Sequence, residues 1–502
     1  PARRRPLCPS PRRPRGSVNK KSYKTGIPGG ASIASKFHSI FIHKNFKEIE
    51  LWRMWDENSI QYEEGMKIRN FKSIFIIDKL SKILPKKIVK LFLRSNIIKS
   101  LKIEKPKIVH IHNAIPALEF YRIIRFCKRS GIYVIVSTHG FYENFNPNHN
   151  FNILESLIWK IFITYPIKKS LYFIDRFVTS YPDETIFLRS LKIKSSAICL
   201  IPNGIDPIYE KKSSKLDIQR IIKKFKLEVN KPILFFTGNH NPNKGIDTVI
   251  RIAKKLKIEA TVVIGGRYFT KNDPDYYLKD FNSNHIRVIF TNYLTTREQR
   301  AFYDIATLLL FPSKSDTSPL TIIEAMARGL PVVAFNVGGI KYLLDNNSGF
   351  LVNNLDFNQF FNYVKNNLIN NIANLHLKSI NSRKRQKEIF NWEKSARATI
   401  KLYESILENV SYFLESYTLG IKRLYIFLFE LGVLLLGITR YRKQSLISNL
   451  SWLGLLTLIA GLIFISPFRR RYMGIVMILS ILVGLLIGIH SQKKLKPILV
   501  AA

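Results

Sequence analysis

Acidic residues are scarce in this chain. Over 502 residues, 35 Asp and Glu stand against 79 Lys and Arg, a net charge of +44. A surplus of that size excludes an acidic, self-solvating protein and points to an anionic partner: a nucleic acid, a membrane surface or an acidic substrate. The basic residues are spread among Ile, Asn and Phe with no nucleic-acid-binding motif. Nucleic acid is therefore the least favoured partner, and compositional drift toward Lys, Ile and Asn is the plain alternative. Cysteine is almost lacking: Cys8, Cys127 and Cys199 lie far apart with no CxxC pair. That excludes a disulfide framework, leaves no thiolate zinc site and fits a reducing compartment.

An early apolar run is missing too. Residues 1–24 are rich in Pro and Arg without one acidic residue, which fits a basic disordered leader rather than a signal peptide. Membrane-length runs occur only past Gly420, where Glu430 is the last acidic residue. The runs 446–466 and 472–489 each approach the roughly 20 residues that cross a bilayer. A shorter run, 424–438, carries Glu430 and allows a third span, so two or three transmembrane helices are expected within 421–490. Basic clusters flank the middle run on both sides (Arg440, Arg442, Lys443; Arg469, Arg470, Arg471). A two-span arrangement leaves more positive charge beside the preceding domains, on the cytoplasmic side of a membrane.

What is present is α/β alternation in a chain long enough for more than one domain. The most informative stretch is FPSKSDTSPLTIIEAMARGLPVVAFNVGG, at 311–339. Its pattern predicts a loop, a helix over 321–328, a buried strand over 331–335 and a second loop at Gly338-Gly339. Asp316 and Glu324 stand eight apart across the helix start. Unpaired backbone N–H groups at Leu320 to Ile322 suit an anion there, and a carboxylate one turn on can reach a sugar or ribose hydroxyl. An ordinary strand–helix–strand unit with a solvated Glu fits the same spacing.

Upstream, KPKIVHIHN (105–113) predicts a parallel strand with His110 and His112 on one face. A helix (117–130) and a strand (132–137) follow, ending in Thr138-His139-Gly140. His112 and His139 thus stand at strand ends, where parallel sheets bind ligands; satisfied strand-end histidines are the alternative. Gly29 and Gly30 precede a helix-like run whose amides could approach a phosphate, or simply form a turn. A helix (152–170), a strand (173–180) and the turn PNGID (202–206) complete the first set. After a charged connection at 211–231, a second set begins with a strand at 232–238 and the loop NHNPNKG. It continues with a helix (246–256), strands at 260–264 and 286–290, a short helix (301–306) and a strand (307–311). A single long helix is expected near 382–407. Two doubly wound units with a cleft between them result.

Assembled, these residues resemble glycosyltransferase family 4 (glycosyltransferase group 1) over about 26–408, most specifically through the 311–339 stretch. The resemblance implies an α/β fold of two facing Rossmann-like domains, the glycosyltransferase B-type fold. Between the leader (1–24) and the membrane helices (421–490) read from composition, it implies an acceptor domain (25–208), a nucleotide-sugar donor domain (209–380) and a carboxy-terminal helix (381–415). It implies a retaining, metal-independent hexosyltransferase without a cofactor. The donor would be a UDP- or GDP-sugar and the acceptor a glycan or lipid-linked molecule in cell-envelope polysaccharide, lipopolysaccharide or glycolipid synthesis.

The family's two-glutamate motif falls on Asp316 and Glu324, implying that Glu324 holds donor ribose hydroxyls and Asp316 those of the transferred sugar. Its Gly-Arg…Lys-Gly phosphate segment matches Gly238, Lys244 and Gly245, with Asn239 at the arginine position. Gly29 and Gly30 resemble the loop facing the diphosphate, His139 resembles the histidine beside the sugar, and PNGID resembles the domain junction. The implied catalytic residues are His139, Asp316 and Glu324. The implied donor-binding residues are Gly29, Gly30, Asn239, Lys244, Ser318, Pro319, Leu320, Thr321 and Glu324. A non-catalytic nucleotide-sugar-binding or scaffold protein of the same fold is the alternative, on the ground of Asn239, Asp316 and the lack of an apolar strand before Gly29.

Overall fold

The computed structural model describes residues 30–46, 49–75, 90–146, 153–240, 242–268, 273–279, 281–369 and 372–408. The chain divides into two compact units, Pro1–Tyr403 and Glu404–Ala502, and all the sheets described here belong to the first. The leader, Gly29 and the expected membrane helices at 421–490 lie outside the described residues. Among the described residues no helix is long and apolar enough to cross a membrane.

The apolar runs of the second set form a six-stranded parallel sheet. Its spatial order is Ile286–Asn292, Ala260–Gly265, Ile233–Thr237, Leu308–Phe311, Val332–Phe335 and Phe350–Val352. Numbered along the chain this is 3-2-1-4-5-6, the doubly wound order whose ligands bind where the winding reverses. The reversal lies between Ile233–Thr237 and Leu308–Phe311, so the loops after those two strands share one crevice. Helices cover both faces, which is why the strands are apolar without alternation. Phe235, Leu309 and Val332 face Phe302, Ile322 and Ala325, whereas Leu234, Leu308 and Val333 face Val249, Ile252 and Phe360.

A four-stranded parallel sheet comes from the first set, in the order Ile108–His112, Tyr133–Ser137, Arg176–Thr179 and Ile198–Leu200. Residues 50–72, whose boundaries the sequence left open, make a separate three-stranded sheet in which Met66–Lys72 is central.

Several boundaries differ from the sequence reading. The connection at 211–231 contains the amphipathic helix Lys215–Phe225, capped by Ser214 and packed on Thr296–Ile305. That second helix starts five residues before the expected Ala301 because Thr295 and Glu298 form a reciprocal capping box. The expected long helix is broken: Ile372–Ile389 ends and a new helix runs from 392. Asn391 makes the break, its Oδ1 accepting from the Glu393 amide at 2.8 Å as an N-cap side chain does.

Candidate active site

The crevice of the six-stranded sheet is built by close backbone approach. Gly245 follows Lys244 at φ +76°, and a Cβ there would lie 2.0 Å from the Pro312 carbonyl oxygen. Only glycine lets the turn after the first strand press against the turn after the fourth. Lys314 N donates to Asn243 O at 2.7 Å and locks the two turns together. The consequence is an ion pair between residues 72 apart in sequence: Lys244 Nζ lies 2.5 Å from Asp316 Oδ2. The Asp316 carbonyl in turn accepts from Gly339 N at 3.1 Å, which fastens the loop to the second glycine turn.

The helix after this loop spans Leu320–Arg328 and ends at Gly329 in the left-handed region. Pro319 at its N-cap supplies no side-chain acceptor, so the first-turn amides at Leu320 and Thr321 remain able to receive an anion. Ser318, just before it, accepts at 3.1 Å from Asn203 Nδ2 of the PNGID turn, a direct bond between the two halves of the unit. Asn239 is exposed, and Gly30 opens the Gly30–Asn45 helix at the surface.

Glu324 sits on the second turn and is engaged away from Asp316. It accepts hydrogen bonds at 2.9 Å from both Gln299 Nε2 and Tyr303 OH, on the neighbouring Thr296–Ile305 helix. Burial raises its carboxyl to about 7, with the Tyr303 bond opposing and the Asp206 charge adding to the rise. Gln299 and Tyr303 were not apparent from the sequence; their one signal is helical spacing, four apart on one face.

His139 leaves the end of Tyr133–Ser137 at φ +42°. Its Nε2 lies 3.0 Å from His112 Nδ1, so the two predicted strand-end histidines do meet. Fully buried Glu184 holds the following turn, accepting from Gly140 N at 3.1 Å and Phe141 N at 2.9 Å. Burial pushes the Glu184 carboxyl up to about 7. No sequence signal marks Glu184, which lies 44 residues downstream of the amide it holds.

Two further histidines join this cluster. His110 stacks on His112 at 4.6 Å between ring centroids, and His38 lies edge-on to both. The helix from 392 closes over them: His38 bonds Thr399 Oγ1 at 2.8 Å and stacks on Trp392, and His110 bonds Tyr403 OH at 2.7 Å. His38, His112, His139, Ser180, Asn203 and Trp392 line a narrow cleft at the carboxyl ends of the four-stranded sheet. Among the described residues no group of three or more His, Cys, Asp or Glu could hold a metal ion.

Burial lowers His38 and His139 to about 4 and carries His110 and His112 well below 6.5. A histidine depressed in the fold stabilises it above the unfolded pKa near 6.5, and the contribution fades as pH falls through the folded value. Glu184 and Glu324 act oppositely, stabilising below about 4.5 and losing that contribution as pH rises through about 7. Glu143 and Asp206, also raised by burial, act with these two carboxylates, whereas Glu50, Glu298 and Asp345, whose carboxyls are lowered, act with the four histidines. The groups that lose stability on acidification therefore outnumber the others. The thermal midpoint should therefore rise from pH 4 to pH 6.5, more steeply than in His110→Asn. A midpoint that falls over this range would contradict the burial of the cluster in its neutral form.

Comparison with known proteins places the two sheets. Residues 61–208 match the family Glycosyltransferase Family 4, and residues 217–387 match Glycosyl transferases group 1. Trehalose synthase from Pyrococcus horikoshii is 29% identical over 213 residues, covering 39% of this chain and 51% of that protein. The chain spans about half the length of the curated relatives it matches first. Sucrose-phosphate synthase from Thermosynechococcus elongatus superposes with a TM-score of 0.61 at 18% identity, over 76% of this chain and 94% of that one. Anabaena Alr3699/HepE, solved in complex with UDP-glucose, superposes at 0.56 and 14% identity, over 76% and 98%. At these identities the likeness to the solved structures concerns the fold alone.

Proposed function

Since the chain carries both the family 4 and the group 1 glycosyltransferase domains, we propose that it transfers a sugar, with retention, from a nucleotide-diphosphate sugar to a glycan or lipid-linked acceptor. The observation that carries this reading is Lys244 held against Asp316 at the winding reversal, with Asp316 four residues before the open N-terminus of Leu320–Arg328. A cation and helix amides that both reached a departing diphosphate would supply the electrostatic stabilisation it needs. A donor diphosphate would take Lys244 from Asp316, freeing the carboxylate for hydroxyls of the sugar. Glu324, already collecting hydrogen bonds through Oε2, would receive ribose hydroxyls. Retention follows if the acceptor oxygen attacks on the face the diphosphate leaves, and no metal is required for that step. HepE, of the same fold, is a complex with UDP-glucose, which supports a nucleotide-sugar donor here.

The apolar runs within 421–490 and the surplus of basic residues support work at the cytoplasmic face of a membrane, on a lipopolysaccharide, other envelope polysaccharide or glycolipid. Asn239, exposed and uncharged, favours a second reading, a binding protein without turnover. A charge-assisted bond that an arginine would make there is worth about 1.5–3 kcal/mol.

The test is full-length protein with lipid extract and a panel of UDP- and GDP-sugars. Release of nucleoside diphosphate is expected with at least one donor, falling at least tenfold in Glu324→Ala. No release with any donor, alongside calorimetric binding of one, would favour the second reading.

A further inference from the structure

The loop that presents His139 also presents a carboxylate with no place in the scheme above. The short helix Phe141–Phe145 follows Gly140 directly and carries Glu143 in its first turn. Gly140 adopts φ +103°, and a Cβ there would meet Glu143 Oε2 at 2.9 Å and Thr317 Cγ2 at 3.2 Å. The Glu143 carboxylate and the turn after Asp316 therefore meet over a single glycine. Ser315 donates to this carboxylate, and burial together with the Asp316 charge holds it above the usual carboxyl range. Its Oε2 is buried and has no hydrogen-bond partner among the described residues.

Two carboxylates, one following a strand of each sheet, are thus close enough for the Asp316 charge to act on Glu143. Asp316 is paired with Lys244; Glu143 has no cation within ion-pairing distance among the described residues. A buried carboxylate oxygen without a donor is costly, and a hydroxyl brought by a bound molecule satisfies it. Glu143 lies four residues beyond His139, and Thr317, which meets it over Gly140, is next in sequence to Asp316; on the reading above this is the side of the transferred sugar rather than of the nucleotide. We infer that Glu143 is a specificity-determining residue whose Oε2 accepts a hydrogen bond from a hydroxyl of the transferred sugar. This rests on the donor reading above.

Calorimetry on the full chain separates the two. UDP and GDP are compared with UDP-glucose, UDP-galactose, UDP-N-acetylglucosamine and GDP-mannose, and the tightest sugar nucleotide is carried forward. Glu143→Ala should weaken it about tenfold while leaving the matching free diphosphate within twofold, and Glu143→Gln, which keeps an acceptor oxygen, should recover part of the loss. Equal weakening of sugar nucleotide and free diphosphate would show a disturbed loop and overturn the assignment. So would unchanged affinity for both. Wild-type protein that binds no nucleotide would overturn the donor reading and Glu143's assignment with it, whereas intact diphosphate binding with no Glu143 effect would overturn the assignment alone.

Discussion

Lys244→Ala should lower the rate of sugar transfer by about 10²–10³-fold while the protein remains folded, the range seen when one preorganised charge or donor is removed from a developing anion. Lys244 is partly exposed, with 30% of its side chain accessible, and its pair with Asp316 crosses a crevice rather than a packed core. A pair so situated contributes little to stability. The substitution should also leave Asp316 without a cation, so Lys244→Ala with Asp316→Asn should fold at least as well as the single variant. Initial rates with saturating donor, read beside a thermal melt, decide the matter. A rate within threefold of wild type would remove Lys244 from the chemistry.

Gly245→Ala is expected to be strongly damaging to the fold of the six-stranded sheet. Two costs add there. A left-handed φ of +76° costs a non-glycine residue about 1–2 kcal/mol. The new Cβ would also stand 2.0 Å from the Pro312 carbonyl oxygen and 2.8 Å from its carbon, and backbone cannot step aside as a flexible side chain can. Overpacking of this kind costs a further 1–3 kcal/mol or so. Gly131 is the control, with φ +70° and nothing within 4 Å of its would-be Cβ. Gly131→Ala should thus show only the conformational cost. Unfolding free energies from urea melts should separate the variants by more than about 1 kcal/mol, and donor binding should fail in Gly245→Ala alone. Equal midpoints would mean that the two turns are not pressed together as described.

Much of this architecture was legible in the residues. Runs such as ILFFT and LLLF are apolar without alternation, which marks strands covered on both faces, and the helix of the 311–339 stretch has its stop signal in Gly329. The carboxylates at 316 and 324 could be singled out because the helix start between them is a local feature. Other elements gave weaker signals. The capping box at Thr295 and Glu298 competes with the apolar pattern that starts nearer Ala301, and the interruption at Asn391 lies inside a long helix-favouring stretch.

The histidine cluster was half visible. The alternation of KPKIVHIHN puts His110 and His112 on one face, but His38 and its partner Thr399 are 361 residues apart. Glu184 and Glu143 had no distinguishing pattern, and Tyr303 only its spacing from Gln299, because each matters through what it touches. Local sequence decided where strands, helices and glycine turns occur, since hydrogen-bonding period and backbone freedom act over a few residues. Which charges pair, which carboxylates are driven toward neutrality and which histidines stay uncharged was left to the folded chain. Those properties depend on burial and on neighbours brought from distant positions, and Lys244 with Asp316 acquires its meaning only when two turns 72 residues apart are pressed against each other.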